Sequence, residues 1–186
     1  MVRKLLISSA AAIAFGGFAF GQIAVLGSSL GKDCYTAVLN SQEPTRADER
    51  ACTTAILSGT MEGRNLTATY INRGIMRMRM GKFDDALADY DVAKQRRPNM
   101  GAIYLNEGAV YVSIGDQPRA IEALEKSIAL DTQDIHAAYF NLGLAHELNG
   151  DPRSAYTNFS KALELKPNWE RAEQELERFQ VIKAES

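Results

Sequence analysis

From Thr67 to Trp169 the apolar positions recur at helical spacing, and the recurrence is interrupted at regular intervals. Within residues 101–135, Ile103, Tyr104, Ala109, Val110 and Tyr111 mark one helix, and Gly115 then breaks it. Asp116 follows with a side-chain oxygen suited to capping a new helix, just ahead of Gln117-Pro118. The same device returns as Gly150, Asp151 and Pro152, with proline at a first helical position where its missing N–H costs nothing. A stop and a restart within a few residues predict antiparallel helical hairpins.

The hairpins are themselves repeated with a period of about 34 residues. Gly74, Gly108 and Gly143 fall into register, as do Gly81, Gly115 and Gly150, then Ala86, Ala120 and Ala155. Tyr70, Tyr104 and Tyr139 lead the units, and Tyr90, Leu124 and Phe159 occupy one further shared position. The units are 67–100, 101–135 and 136–169. Glycine and alanine at fixed offsets predict close helix crossings, with the large side chains filling the space between units.

An aromatic, then x-x-Leu-Gly-x-x-Tyr, later Ala-x-x-x-Phe and finally Pro resembles the tetratricopeptide repeat family. Tyr70, Gly74, Ala86, Tyr90 and Pro98 carry the match in the first unit, Tyr104, Gly108, Tyr111 and Ala120 in the second, and Tyr139, Leu142, Gly143, Ala155, Phe159 and Pro167 in the third. Leu124 and Thr132 depart from the aromatic and the proline in the second unit. The resemblance implies an all-α fold, an α-solenoid of stacked hairpins whose first helices line a concave groove. It places Asn72, Asn106 and Asn141 at the sixth position of their units, one side-chain amide per repeat. An amide both donates and accepts, so such a row suits an extended peptide backbone. Ile71, Ile75, Met78, Leu105, Ala109, Phe140 and Leu144 are expected around them as an exposed apolar lining rimmed by Arg79 and Glu147. Family members that grip a terminal carboxylate use Lys and Arg in the groove; Ile71 and Ile75 stand in the corresponding first-repeat places, so that activity is not implied.

Arg73 and Arg77 stand in the semi-buried Leu and Tyr slots of the first unit and need anionic partners there. Asp89 is the expected partner of Arg73, with Glu107 of the next unit as alternative acceptor. Residues 29–62 read as a degenerate version of the hairpin, with Cys52 in the aromatic slot, Ala55 in the small slot and Cys34 on the preceding helix. A Cys34–Cys52 disulfide would clamp it, contributing about 3 kcal/mol in the chain-entropy model. At 170–186 a capping helix and tail close the solenoid: Trp169, Ala172, Leu176 and Phe179 are expected on its apolar face, and Glu170, Glu173, Glu175, Glu177 and Arg178 on the other.

The N-terminus has another character. Arg3 and Lys4 are followed by no charged residue from Leu5 through Gly31, and the most apolar part is Leu5 to Phe20. Ala19-Phe20-Gly21 sets small residues three and one before a cut ahead of Gln22, the layout of a signal peptide over 1–21. The alternatives are an uncleaved anchor continuing to about Leu26 and a core helix. Charged residues before Cys34 argue against a lipid anchor. Export would give a periplasmic or otherwise exported protein, or one held at the inner membrane facing the periplasm, and an even cysteine count fits such a compartment.

Composition narrows the chemistry. The chain of 186 residues carries Lys+Arg 21 against Asp+Glu 23, a net charge of −2, with two His and two Cys. No basic surface for nucleic acid is implied, and the soft ligands are too few for a closed zinc or iron–sulfur site. His146-Glu147-Leu148-Asn149-Gly150 lacks the second histidine of a zinc-protease helix, and no phosphate loop, nucleophile elbow or paired-carboxylate motif is present. The expectation is a non-catalytic protein without cofactor or metal that binds a partner protein or peptide in its groove. The alternative is a self-associating or membrane-tethered assembly factor of the cell envelope.

Overall fold

The computed structural model describes residues 4–7, 19–21, 23–24, 29–41 and 43–182. Much of the segment expected to direct export, the Val25-Leu26 end of the anchor alternative, and tail residues 183–186 lie outside the described residues. The fold is an all-α solenoid. Helices α1 (Ser29–Asn40) and α2 (Arg46–Leu57) form a first hairpin. Three repeats follow as α3 (Gly63–Arg79) with α4 (Phe83–Arg96), α5 (Gly101–Ile114) with α6 (Gln117–Ala129), and α7 (Ile135–Leu148) with α8 (Pro152–Leu165); α9 (Glu170–Glu177) packs against the last of them.

Local chemistry fixes the helix ends. Thr45 caps α2: its hydroxyl accepts from the Asp48 amide while the Asp48 carboxylate accepts from the Thr45 amide at 2.7 Å, satisfying donors that a helix start leaves free. Asp116 and Asp151 cap α6 and α8 by accepting from the amides of Arg119 and Ser154 at 3.2 and 3.1 Å. Gly115 ends α5 at φ 80°, a conformation that a side chain would strain.

Within each repeat the two helices touch through glycine. A Cβ added to Gly74, Gly108 or Gly143 would lie 2.3 Å from Tyr90, 2.5 Å from Leu124 or 2.7 Å from Phe159. This is the close crossing that the shared register predicts. Gly108→Ala sets two effects against each other: helix propensity favours alanine by about 1 kcal/mol, whereas overpacking against the branch carbon of a fully buried Leu124 costs about 1–3 kcal/mol. A lower urea midpoint is the expected result, and an unchanged or higher one would remove the packing reason for this glycine.

The first hairpin is clamped by a Cys34–Cys52 disulfide with Cα atoms 4.5 Å apart, both cysteines fully buried. Charge holds it to the first repeat. Asp89, on α4, accepts from Arg73 through both carboxylate oxygens at 2.6 and 3.0 Å, and from Arg77 at 2.8 Å. Arg77 also donates to Glu49 of α2 at 3.0 Å, Lys82 reaches Glu49 at 2.5 Å, and Arg73 reaches the Thr53 hydroxyl at 3.3 Å. The expected Arg73–Asp89 pair therefore forms, and Arg77 joins it. Glu107, the alternative acceptor, is engaged by Lys94 at 2.7 Å instead.

At the C-terminal end the helix is shorter than its sequence pattern predicts. α9 stops at Glu177, and Phe179 opens strand β2 (Phe179–Ile182), which pairs antiparallel with β1 (Lys4–Ile7), Ile7 opposite Phe179 and Lys4 opposite Ile182. Phe179 stays buried all the same, its ring 5.8 Å from Tyr156 and 6.0 Å from Phe159. Arg178 is not a solvent-facing residue: it pairs with Glu147 at 2.5 Å and with Glu175. The N-terminus thus returns to the C-terminal cap.

Candidate peptide groove

Asn72 on α3, Asn106 on α5 and Asn141 on α7 are fully buried. Asparagine is a weak helix former, and a buried amide left without partners costs about 1–3 kcal/mol. The partners here are backbone groups of the chain's own N-terminal segment. The Asn72 amide donates to the Ile23 carbonyl at 3.0 Å and accepts from the Ile23 amide at 3.4 Å. Asn106 does the same with Gly21, at 3.0 and 3.3 Å, and Asn141 with Ala19, at 2.8 and 3.1 Å. Asn106 also donates to the Ala102 carbonyl at 2.8 Å, which fixes its rotamer on the helix.

The periodicities agree. In an extended chain the N–H and C=O of every second residue face the same side, and residues 19, 21 and 23 meet successive repeats. The segment runs from the third repeat to the first, opposite to the order of the solenoid.

None of the residues expected in an exposed apolar lining is exposed. Ile71, Ile75, Met78, Leu105, Ala109, Phe140 and Leu144 are all buried, in one cluster with Ala19 and Ile23. The expected exposed lining is therefore corrected to a buried one, and Leu105 is the member set against the segment, its tip 2.9 Å from where a Cβ on Gly21 would be. Phe140 differs from the others in its partners: its ring packs 4.9 Å from Trp169 and 5.4 Å from Phe159, so it belongs to the cap as much as to the groove.

The rim is corrected as well. Arg79 donates to the carbonyls of Val38 and Ser41 at 2.7 and 2.9 Å, and its guanidinium lies 5.2 Å from the centre of the Phe20 ring. Burial lowers its pKa from the ordinary arginine value. Glu147 is the acceptor for Arg178. Both rim charges thus tie the first hairpin, the N-terminal segment and the C-terminal cap to the solenoid. Two residues near the segment carried no sequence signal: Ala102 and Asp134 lie 3.4 and 3.5 Å from where a Cβ on Gly21 would be. Burial, the largest influence on Asp134, pushes its carboxyl up from the ordinary value.

His146 holds no second histidine near it; its Nδ1 stands 4.0 Å from Asp151. His136 packs edge-on against Trp169 at 5.0 Å. Among the described residues, no group of three or more His, Cys, Asp or Glu could hold a metal ion, and no helix is long and apolar enough to cross a membrane.

Family models described as tetratricopeptide repeat match residues 71–135 and 136–168. Among curated proteins none matches. Solved structures with the same fold include the first such domain of Spaghetti (RPAP3) bound to the HSP90 peptide SRMEEVD, 22% identical at a TM-score of 0.57, covering 60% of this chain and 88% of that one. The crystal structure of MamA is 22% identical at a TM-score of 0.62, with 81% of this chain and 82% of that one covered. The N-terminal domain of stress-induced protein-1 from C. elegans is 20% identical at a TM-score of 0.51, covering 69% of this chain and 97% of that one.

Proposed function

The chain belongs to the tetratricopeptide repeat family, a protein-interaction scaffold, and on that footing we propose that it is a non-catalytic adaptor whose concave groove holds an extended peptide of a partner protein. One observation carries the reading: three buried asparagines, one per repeat, each pair with both the N–H and the C=O of alternate residues in an extended segment. Hydrogen bonds of this kind recognise a backbone, and the apolar residues around them supply the burial that makes binding favourable. The Spaghetti (RPAP3) structure, bound to a peptide, is a precedent for a domain of this fold binding one. A row of amides, with isoleucines in place of cations in the first repeat, favours backbone recognition over capture of a terminal carboxylate.

The adaptor works outside the cytoplasmic membrane. A positive start followed by a charge-free run to Gly31, and a paired couple of cysteines, support that compartment. N-terminal sequencing of the exported protein tests it. A first residue of Gln22 establishes cleavage, and it would also remove Ala19 and Gly21, leaving Asn106 and Asn141 open to a partner.

Asn106→Ala and Asn141→Ala test the groove, with melting of each variant measured beside binding because both side chains are fully buried. In pull-downs from an envelope extract, each is expected to lose at least ten-fold of partner retention, and retention of every partner by both variants overturns groove binding.

A further inference from the structure

Residues 19–23 also report what the groove accepts. Ala19 lies against the third repeat, Gly21 against the second and Ile23 against the first, all buried. The middle position is the most restricted. A Cβ on Gly21 would stand 2.9 Å from the tip of Leu105, 3.4 Å from the Ala102 methyl and 3.5 Å from an Asp134 carboxylate oxygen. A single methyl displaces only the end of Leu105, but Leu105 is fully buried and has no solvent to turn into. A β-branched residue would add two more carbons between an apolar tip, a methyl and a carboxylate, an overpacked arrangement.

We propose that the groove selects extended peptides of the pattern small-x-Gly-x-aliphatic, read from the third repeat to the first, and that Ala19, Gly21 and Ile23 occupy it as a built-in competitor. The proposal rests on the groove being a peptide site and goes beyond it in naming the ligand class. Asn72, Asn106 and Asn141 set direction and register by bonding only every second residue. The gap between Leu105, Ala102 and Asp134 sets the glycine. The tethered segment competes at the high effective concentration of an intramolecular ligand, on the order of mM for a short connection. Free peptide therefore binds the intact chain weakly until the segment leaves.

The test uses the full chain of residues 1–186 and a fluorescent peptide with the sequence of residues 18–24, Phe-Ala-Phe-Gly-Gln-Ile-Ala. In the Gly21→Val chain the segment is expelled, and the peptide is expected to bind at least ten-fold more tightly than to the unaltered chain. The same peptide with valine for glycine is expected to bind that variant at least ten-fold more weakly. Equal binding of the two peptides overturns the glycine selection, and equal binding to both chains overturns the built-in competitor. If the glycine peptide fails to bind a Gly21→Val chain that keeps its helical circular dichroism and cooperative melting, the groove itself is not a peptide site, and the proposed function falls with it. Ile23→Asp, which expels the other end of the segment, repeats the measurement should Gly21→Val not fold. Light scattering of the unaltered chain is expected to give a monomer; a dimer would seat the segment in a second copy and overturn competition within one chain.

Discussion

Asp89→Ala is expected to destabilise the protein by about 3–5 kcal/mol, lowering the melting temperature by roughly 10 °C. Asp89 is 2% exposed, and its two oxygens receive three charged hydrogen bonds from Arg73 and Arg77. Burial, the largest influence on it, pushes the carboxyl above its ordinary value even though both arginines pull the other way. Holding a carboxylate there is thus costly in itself, and the arginines offset the cost. Removing it does not return the protein to neutrality, because Arg73 and Arg77 stay at 12% and 17% exposure beside one another. Arg77 retains Glu49, but Arg73 keeps no carboxylate, only the neutral Thr53 hydroxyl and the face of the Tyr70 ring. Thermal unfolding followed by circular dichroism checks this, with Asp89→Asn expected to fall between, since it keeps an acceptor but no charge. A melting temperature unmoved by the alanine would mean that the network contributes nothing measurable.

That network shows which parts of the structure were legible in sequence. Arg73 and Arg77 stood in slots that the repeat register marks as semi-buried, and a buried guanidinium requires a carboxylate close by. Asp89 was visible because a fixed hairpin places one residue opposite another. The asparagine row was legible for the same reason. Its occupant was not, because a single extended segment has no helical period, and alternate small residues at 19 and 21 satisfy a signal peptidase and a narrow groove alike. The end of α9 is not legible in sequence, on equally physical grounds. Phe179 continues the apolar face of the helix in sequence, but a pairing with β1, more than 170 residues away, leaves no local trace.

Replacing both Cys34 and Cys52 with serine is expected to cost about 3 kcal/mol, the chain-entropy value for a closed loop of this size, and to do so unevenly along the chain. The bridge spans 18 residues within one hairpin, so its loss frees α1 and α2 first and reaches the repeats through their contacts with α3. In a solenoid each unit leans on its neighbours alone, so the end unit melts first. α2 contributes Glu49 and Thr53 to the arginine network, and α1 contributes the carbonyls that hold Arg79. Once this hairpin loosens, Arg77 and Arg79 lose those partners, and the cap over the first-repeat end of the groove is weakened with them. Hydrogen exchange is therefore expected to quicken in α1 and α2 and at the first turns of α4, while α5 to α8 keep their protection. The effect of Asp89→Ala is expected to differ between the bridged and unbridged proteins, since the two sites share Glu49 and Arg77. Uniform loss of protection across all repeats would show that the solenoid unfolds as one unit, and an unchanged melting temperature in reductant would deny the bridge any part in stability.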